Sequence, residues 1–515
     1  MKKILLLSTV FLMVFAVSCN EEDLNKLNPN GVTFDTYFNN AAELTAGVNA
    51  IYALVQGPNL GSREYFFLHD MRGDDVATGG GQLEAHRAQM LNGVHDPGNG
   101  VSVANWTGWY RTIHRANVII AKGPDVPTTA ISETLKNRLL GEARFMRAWA
   151  YYELATVFGG GPLYTSFVES VDGSAGRSSA DEMYAVCIDD LKFAEANLPA
   201  TYAAADRGRA TKGAALTLLA RVYLQKGDYN SAKTELQKIV SSGTYSLAPD
   251  YSLNSVEEGE FGVESIFEIV YASSNGAFNW GGDGDGAAVQ EETVRSQEYA
   301  PIAWRNLIPS NKLLNTYEHV DKGDAKSDPR FQHTFYVAGD KYNNGALTLT
   351  DEQVQGQTST VRGATQKVSW KKYTIMYKSA AANQQSGINL RVMRYADVLL
   401  MLAECENELG NSAAAIALVN QVRARPGIEM PPIPTANIPT GTQAQLRAAI
   451  QRERQVELAG EQVRNFDILR WRKHGKLSGE PISYFQANKH ELVPIPQTEL
   501  DNNPNMDQGD QNPGY

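Results

Sequence analysis

Two stretches far apart in this 515-residue chain carry one helical spacing, and that repetition constrains the fold more than any other feature. Leu216, Leu219, Ala220 and Tyr223, followed after Gly227-Asp228 by Ala232, Leu236 and Ile239, reappear in register further on. The second set is Leu399, Leu402, Ala403 and Glu406, followed after Gly410-Asn411 by Ala415, Val419 and Val422. Apolar residues three and four apart predict one buried face per helix. Glycine with a polar neighbour predicts the turn between them. The alanines let two antiparallel helices approach closely, while the larger side chains fill the groove against the next pair. Each stretch is therefore expected to form a helical hairpin.

The spacing matches the tetratricopeptide helix pair, a unit that buries its core only by stacking on neighbours. Further helices announce themselves by their caps. Asn40 with Glu43 starts a face of Leu44, Val48, Ile51, Tyr52 and Val55 that ends at Gly57-Pro58, and Ser179 with Glu182 starts another through Tyr184, Ile188 and Leu191. Residues 248–390 differ: Gly281 to Gly286, Asn343-Asn344-Gly345 and the polar run from Asp351 to Thr360 break periodicity, and Ser265 to Val270 reads as a short strand. Residues 57–105 have the same irregular character. The expectation is a mainly α protein, a tetratricopeptide-like scaffold with an irregular, loop-rich ligand-binding region. Its divisions are a leader at 1–18, helical parts at 19–247 and 391–515, and the irregular region at 248–390.

The N-terminus carries an address. Lys2 and Lys3 precede a largely apolar run from Ile4 to Val17, shorter than the roughly 20 residues that span a bilayer but suited to a secretory signal. Ala16, Val17 and Ser18 before Cys19 resemble a lipobox, which makes Cys19 the expected site of lipidation and membrane attachment. Glu21, Glu22 and Asp23 directly after it resemble the export tag of surface-exposed lipoproteins. With 58 acids against 47 bases, the formal net charge is −11, which argues against nucleic acid or anionic lipid as a partner and favours a neutral ligand. Cys187 and Cys405 are expected as buried free thiols.

Signatures of catalysis are missing: there is no G-x-S-x-G elbow, H-E-x-x-H, P-loop or G-x-G-x-x-G. His69 near Asp70, Asp74 and Asp75 is read as a solvated acidic loop rather than a metal site. Asp283 and Asp285 hint at calcium, but the other ligands of an EF-hand loop are lacking, so neither metal nor cofactor is expected. Glu453, Glu457 and Glu461, one turn apart with Arg452, Arg454 and Arg464 nearby, predict a helix-face salt-bridge network rather than acid/base machinery. Aromatic residues in the irregular segments suit stacking on sugar rings: Trp280, Tyr299 and Trp304 in or beside the Gly-rich loop, and Tyr65, Phe66 and Phe67 in the other segment. Asp74 would bond sugar hydroxyls at the margin. Trp109 and Trp149, at helical spacing, are expected in the core.

Several segments together resemble the SusD/RagB-like nutrient-binding lipoproteins. They are Gly141 to Tyr152 running on to Phe158-Gly159-Gly160-Gly161-Pro162-Leu163, Trp109 to Asn117, the Ala214 to Leu247 hairpin, Glu264 to Ile269, Asp328 to Phe331, Arg394 to Glu404, Glu453 to Trp471, Leu492 to Pro496 and Gln511 to Tyr515. One local departure is Gly460-Glu461-Gln462, where the family usually has Phe-Glu-Gly. The resemblance implies a non-catalytic surface protein of the outer membrane that captures an oligosaccharide for a SusC-like TonB-dependent transporter, its ligand face built by the two loop regions. A surface-anchored glycoside hydrolase and a binder of peptides or other nutrients are the competing expectations.

Overall fold

The computed structural model describes residues 33–273, 278, 292–318, 328–361 and 364–515. Cys19, Trp280, Asp283 and Asp285 lie outside these residues. The fold is mainly α. Both expected hairpins form: Lys212–Lys226 packs against Tyr229–Ser242, and Tyr395–Glu408 against Ser412–Arg423. Gly227 takes φ +76 to cap the first hairpin's leading helix, and the Asp228 side chain accepts from Ser231 N to start its partner. Ala220, Ala232, Ala403 and Ala415 are completely buried where the helices touch.

The two hairpins are neighbours in space, since Tyr229–Ser242 packs on Tyr395–Glu408. Ala41–Gln56, Gly100–Lys122, Glu133–Glu153 and Ala180–Asn197 extend the stack on one side and Gln443–Glu457 closes it on the other. One hydrophobic cluster runs through it from Leu44 to Met506. Asn40 caps the first of these helices by accepting from Glu43 N, and Ser179 and Glu182 form the expected capping box. Cys187 and Cys405 are free and buried. No helix among the described residues is long and apolar enough to cross a membrane.

Residues 57–105 are more regular than their sequence suggests. Tyr65, Phe66 and Phe67 lie in the helix Glu64–Met71, buried on every side, so its sequence shows no polar face and no helical period. The described part of 248–390 contains short strands. Ser265–Ile269 pairs with Leu390–Arg394, and Ala364–Trp370 lies between Phe335–Val337 and Gln357–Val361, all antiparallel.

The carboxylates at 453, 457 and 461 do form a salt-bridge network, but in the interior and with distant partners. The helix ends at Glu457, and Glu461 sits in the turn beyond it. Arg330 binds Asp328, Glu453 and Glu457, while Arg394 binds Glu264, Glu457 and Glu461. Arg425 joins Glu264 to Glu457, and Lys372 is held by Glu461. The nearby arginines turn elsewhere, Arg454 to Asp397 and Asp467, and Arg464 to Asp74. In the departing turn, Gln462 Nε2 donates to both carboxylate oxygens of Asp70 at 3.0 Å, and Arg295 donates to the Gly460 carbonyl and to Gln462 Oε1. A Phe-Glu-Gly turn, with glycine in place of Gln462, would lack the amide that makes this bridge.

Candidate functional site

The site is built where two loops leave one small sheet. Val76–Thr78 pairs antiparallel with Leu307–Pro309, placing Thr78 opposite Leu307. The chain after Thr78 is Gly79-Gly80-Gly81-Gln82, and the chain before Leu307 is Trp304-Arg305-Asn306. Gly79 N donates to Asn306 O at 3.0 Å, and a Cβ on Gly79 would lie 1.6 Å from the Arg305 carbonyl oxygen. Glycine is therefore required where the loops cross.

The Trp304 loop is held from several directions. Trp304 N donates to Gln297 O at 3.0 Å, Asn306 N donates to Glu298 O at 2.6 Å, and Gln82 Nε2 donates to Trp304 O at 2.5 Å. Glu298 is fully buried; its carboxylate accepts from Arg63 Nε at 2.8 Å and from the Asn306 amide. Trp304 is 42% exposed, whereas Trp106, Trp109, Trp149, Trp370 and Trp471, the other tryptophans among the described residues, are buried. A large apolar ring that keeps this much exposure on a braced backbone is a candidate for stacking on a ligand.

The other expected contacts lie elsewhere. Tyr299, 1% exposed, sits on the helix Arg295–Tyr299 with its ring against Phe66 and Phe67 and its hydroxyl donating to Asp70 Oδ2 at 2.8 Å. Tyr65, 4% exposed, packs edge-on against Trp109 and Trp149. Both are scaffold residues without a face for a ligand. Asp74 is buried and claimed by Arg464 (Nε at 2.6 Å) and Lys312 (Nζ at 2.8 Å). Burial pushes its pKa up, but the two cations outweigh this and hold it below the ordinary carboxylate value. The stretch from His69 to Asp75 is thus an interior junction and not a solvated loop. His69 Nε2 faces Glu153 at 3.1 Å and Nδ1 faces the Asn465 amide at 3.1 Å. Among the described residues no group of three His, Cys, Asp or Glu side chains could hold a metal ion.

Asp75, next to Asp74, is pushed up to about 7 by burial and by its neighbour's charge. An acid with a raised folded pKa binds its proton more tightly when folded, so stability falls as pH rises from its unfolded value, near 3.9, to about 7. Asp75→Asn keeps an oxygen for the Gln455 amide, 2.7 Å away. The variant is expected to raise Tm at pH 8 and leave it unchanged at pH 4, and equal shifts at both would remove titration as the cause.

Sequence reasoning passed over Gly79, Gln82 and Arg305. The available signal was the triple glycine after a short apolar strand, together with Arg305 directly following Trp304. A separate cavity of about 620 Å³ lies between Phe34, Phe38 and the helix Gly100–Lys122, lined by Trp106, Tyr110 and Arg115 among others, and does not adjoin these loops.

Comparison with known proteins agrees with this architecture. The SusD family profile matches residues 263–515, the profile described as starch-binding associating with outer membrane matches residues 24–224, and a tetratricopeptide repeat profile matches residues 214–242. SusD-like protein P2 of Formosa agariphila is 29% identical, with 98% of each chain covered. The starch-binding protein SusD of Bacteroides thetaiotaomicron is 25% identical, covering 75% of this chain and 74% of that one. A solved laminarin-binding SusD-like protein is 28% identical with a TM-score of 0.72, covering 93% of this chain and all of that one.

Proposed function

This chain belongs to the SusD/RagB-like family, and on that premise we propose that it is a non-catalytic surface lipoprotein that captures an oligosaccharide for a SusC-like TonB-dependent transporter. The observation that carries the reading is Trp304, exposed on a braced loop of a scaffold shared with starch-binding and laminarin-binding relatives. Stacking on an indole face needs no charge and no moving parts, which suits a protein that holds a ligand and releases it unchanged. The interior arginine network supports the same view, since Glu453, Glu457 and Glu461 are tied to cations inside the scaffold instead of facing each other across a cleft. Calorimetric titration of the purified protein with a panel of oligosaccharides, followed by chromatography of the same samples, tests this reading. Binding without new products is expected; product release would make the protein a hydrolase, and absence of binding across the panel would remove the carbohydrate.

Attachment to the membrane is assigned to Cys19, with Glu21, Glu22 and Asp23 directing it to the exterior. Because a lipid anchor on one residue depends on one thiol, Cys19→Ala is expected to move the protein from the membrane fraction to the soluble one. Continued lipid labelling of that variant would overturn the assignment. The proposed transporter is expected to copurify with the wild-type protein in detergent.

A further inference from the structure

Arg305 follows the exposed tryptophan and is held in an unusual way. Its φ is +51, a left-handed conformation that side chains other than glycine seldom adopt. Such strain persists where the surroundings enforce it. Here the Arg305 carbonyl fills the space that a side chain on residue 79 would need, while Trp304 and Asn306 on either side are bonded to Gln297, Glu298, Gln82 and Gly79. Among the described residues the Arg305 guanidinium has no counter-ion. Its Nε is buried and without a hydrogen-bond partner, and burial lowers its pKa with no carboxylate acting against it.

The described carboxylates around the site are already occupied. Glu84 is paired with Arg63 and Arg87, Glu64 with Arg87, and Glu298 with Arg63 and Asn306. This is a chain with eleven more acids than bases, 58 against 47, in which buried arginines such as Arg330, Arg394 and Arg425 each have two or three carboxylates. Counter-ions are abundant, yet among the described residues the cation next to Trp304 has none. A guanidinium fork matches the paired oxygens of a carboxylate or a sulfate ester, whereas neutral hydroxyls can be served by uncharged partners.

We propose that the Trp304 loop takes saccharides that carry negative charge, uronate or sulfate ester, with Arg305 donating to the anionic group while the indole stacks on the ring. The inference rests on Trp304 being the ligand face, and its test separates the two. Wild type, Trp304→Ala, Arg305→Gln and Arg305→Lys are titrated with three probes: an alginate hexasaccharide carrying carboxylates, a carrageenan hexasaccharide carrying sulfates, and neutral laminarihexaose. Each titration is run at low and at moderate sodium chloride, with thermal melts to check that the variants fold.

At least one anionic probe is expected to bind, more weakly as salt rises. Arg305→Gln should lose roughly 10- to 100-fold of that affinity, as removal of a charge-assisted hydrogen bond does, with Arg305→Lys in between. Which anionic probe binds distinguishes carboxylate from sulfate. If laminarihexaose alone binds and depends on Trp304, or if Arg305→Gln binds an anionic probe like wild type, the charge assignment is overturned while the Trp304 face stands. If no probe binds, or if binding ignores Trp304, both readings fall.

Discussion

Replacing Glu457 by glutamine is expected to destabilise the protein by about 3 to 5 kcal/mol, the usual cost of removing one partner from a buried ion pair. The carboxylate is completely buried. Its Oε1 accepts from Arg394 Nη1 and Arg425 Nη2, each at 2.7 Å, and its Oε2 accepts from Arg330 Nη1 at 3.0 Å. A neutral amide would leave these guanidinium groups short of charge and turn an NH2 toward donors. Since a domain's net stability is only about 5 to 15 kcal/mol, the loss should be plain in the urea midpoint. A change below about 1 kcal/mol would mean that the remaining carboxylates compensate fully. The pH dependence gives a second check. Burial pushes the Glu457 pKa up, but Arg425, Arg394 and Arg330 outweigh it and hold the group well below its ordinary value. A depressed folded pKa contributes stability that is present above the unfolded value, near 4.3, and is lost as pH falls toward the folded one. The variant should therefore show a shallower acid limb than wild type.

Trp304→Ala is expected to leave the melting temperature unchanged and to weaken oligosaccharide binding by at least about 2 kcal/mol, roughly 30-fold. The ring is 42% exposed and the loop is braced through backbone atoms that alanine retains, so truncation removes a contact surface and leaves the loop's backbone bonds in place. Trp149→Ala is the contrasting variant. Trp149 is buried against Trp109 and Phe267, and its indole NH donates to Glu153 at 3.0 Å. A cavity of that size costs about 3 to 5 kcal/mol. Unchanged titration of Trp304→Ala with a bound glycan would remove this ring from the ligand face.

Much of the scaffold was legible because its signals are local. The repeated hairpins, the caps at Asn40 and Ser179 and the strand at Ser265 each depend on residues within a few positions of one another, and all formed. Helix Glu64–Met71 was missed for the converse reason. Periodicity reports one buried face, and a helix enclosed on all sides has no polar face to reveal it.

The candidate site was legible only in part. Tyr65, Tyr299 and Trp304 are alike in composition and all lie in stretches without obvious period, yet the structure buries two and exposes one. Tyr299 is covered by Phe66, Phe67 and Trp370, and Tyr65 by Trp109 and Trp149. Arg305 looks like any other arginine until the acids around it are seen to be taken.

By itself the sequence determined the helical hairpins, the family, the expected anchor at Cys19 and the presence of aromatic residues in the loops. Each is a matter of pattern along the chain, where side chains three or four apart share a face whatever surrounds them. Only the tertiary structure decided which carboxylate meets which arginine, which aromatic ring stays exposed and which cation lacks a counter-ion among the described residues. Those outcomes depend on segments brought together from hundreds of residues apart, as Asp74 is with Arg464 and Glu298 with Arg63. Burial and Coulomb energies follow distance in space and not separation along the chain.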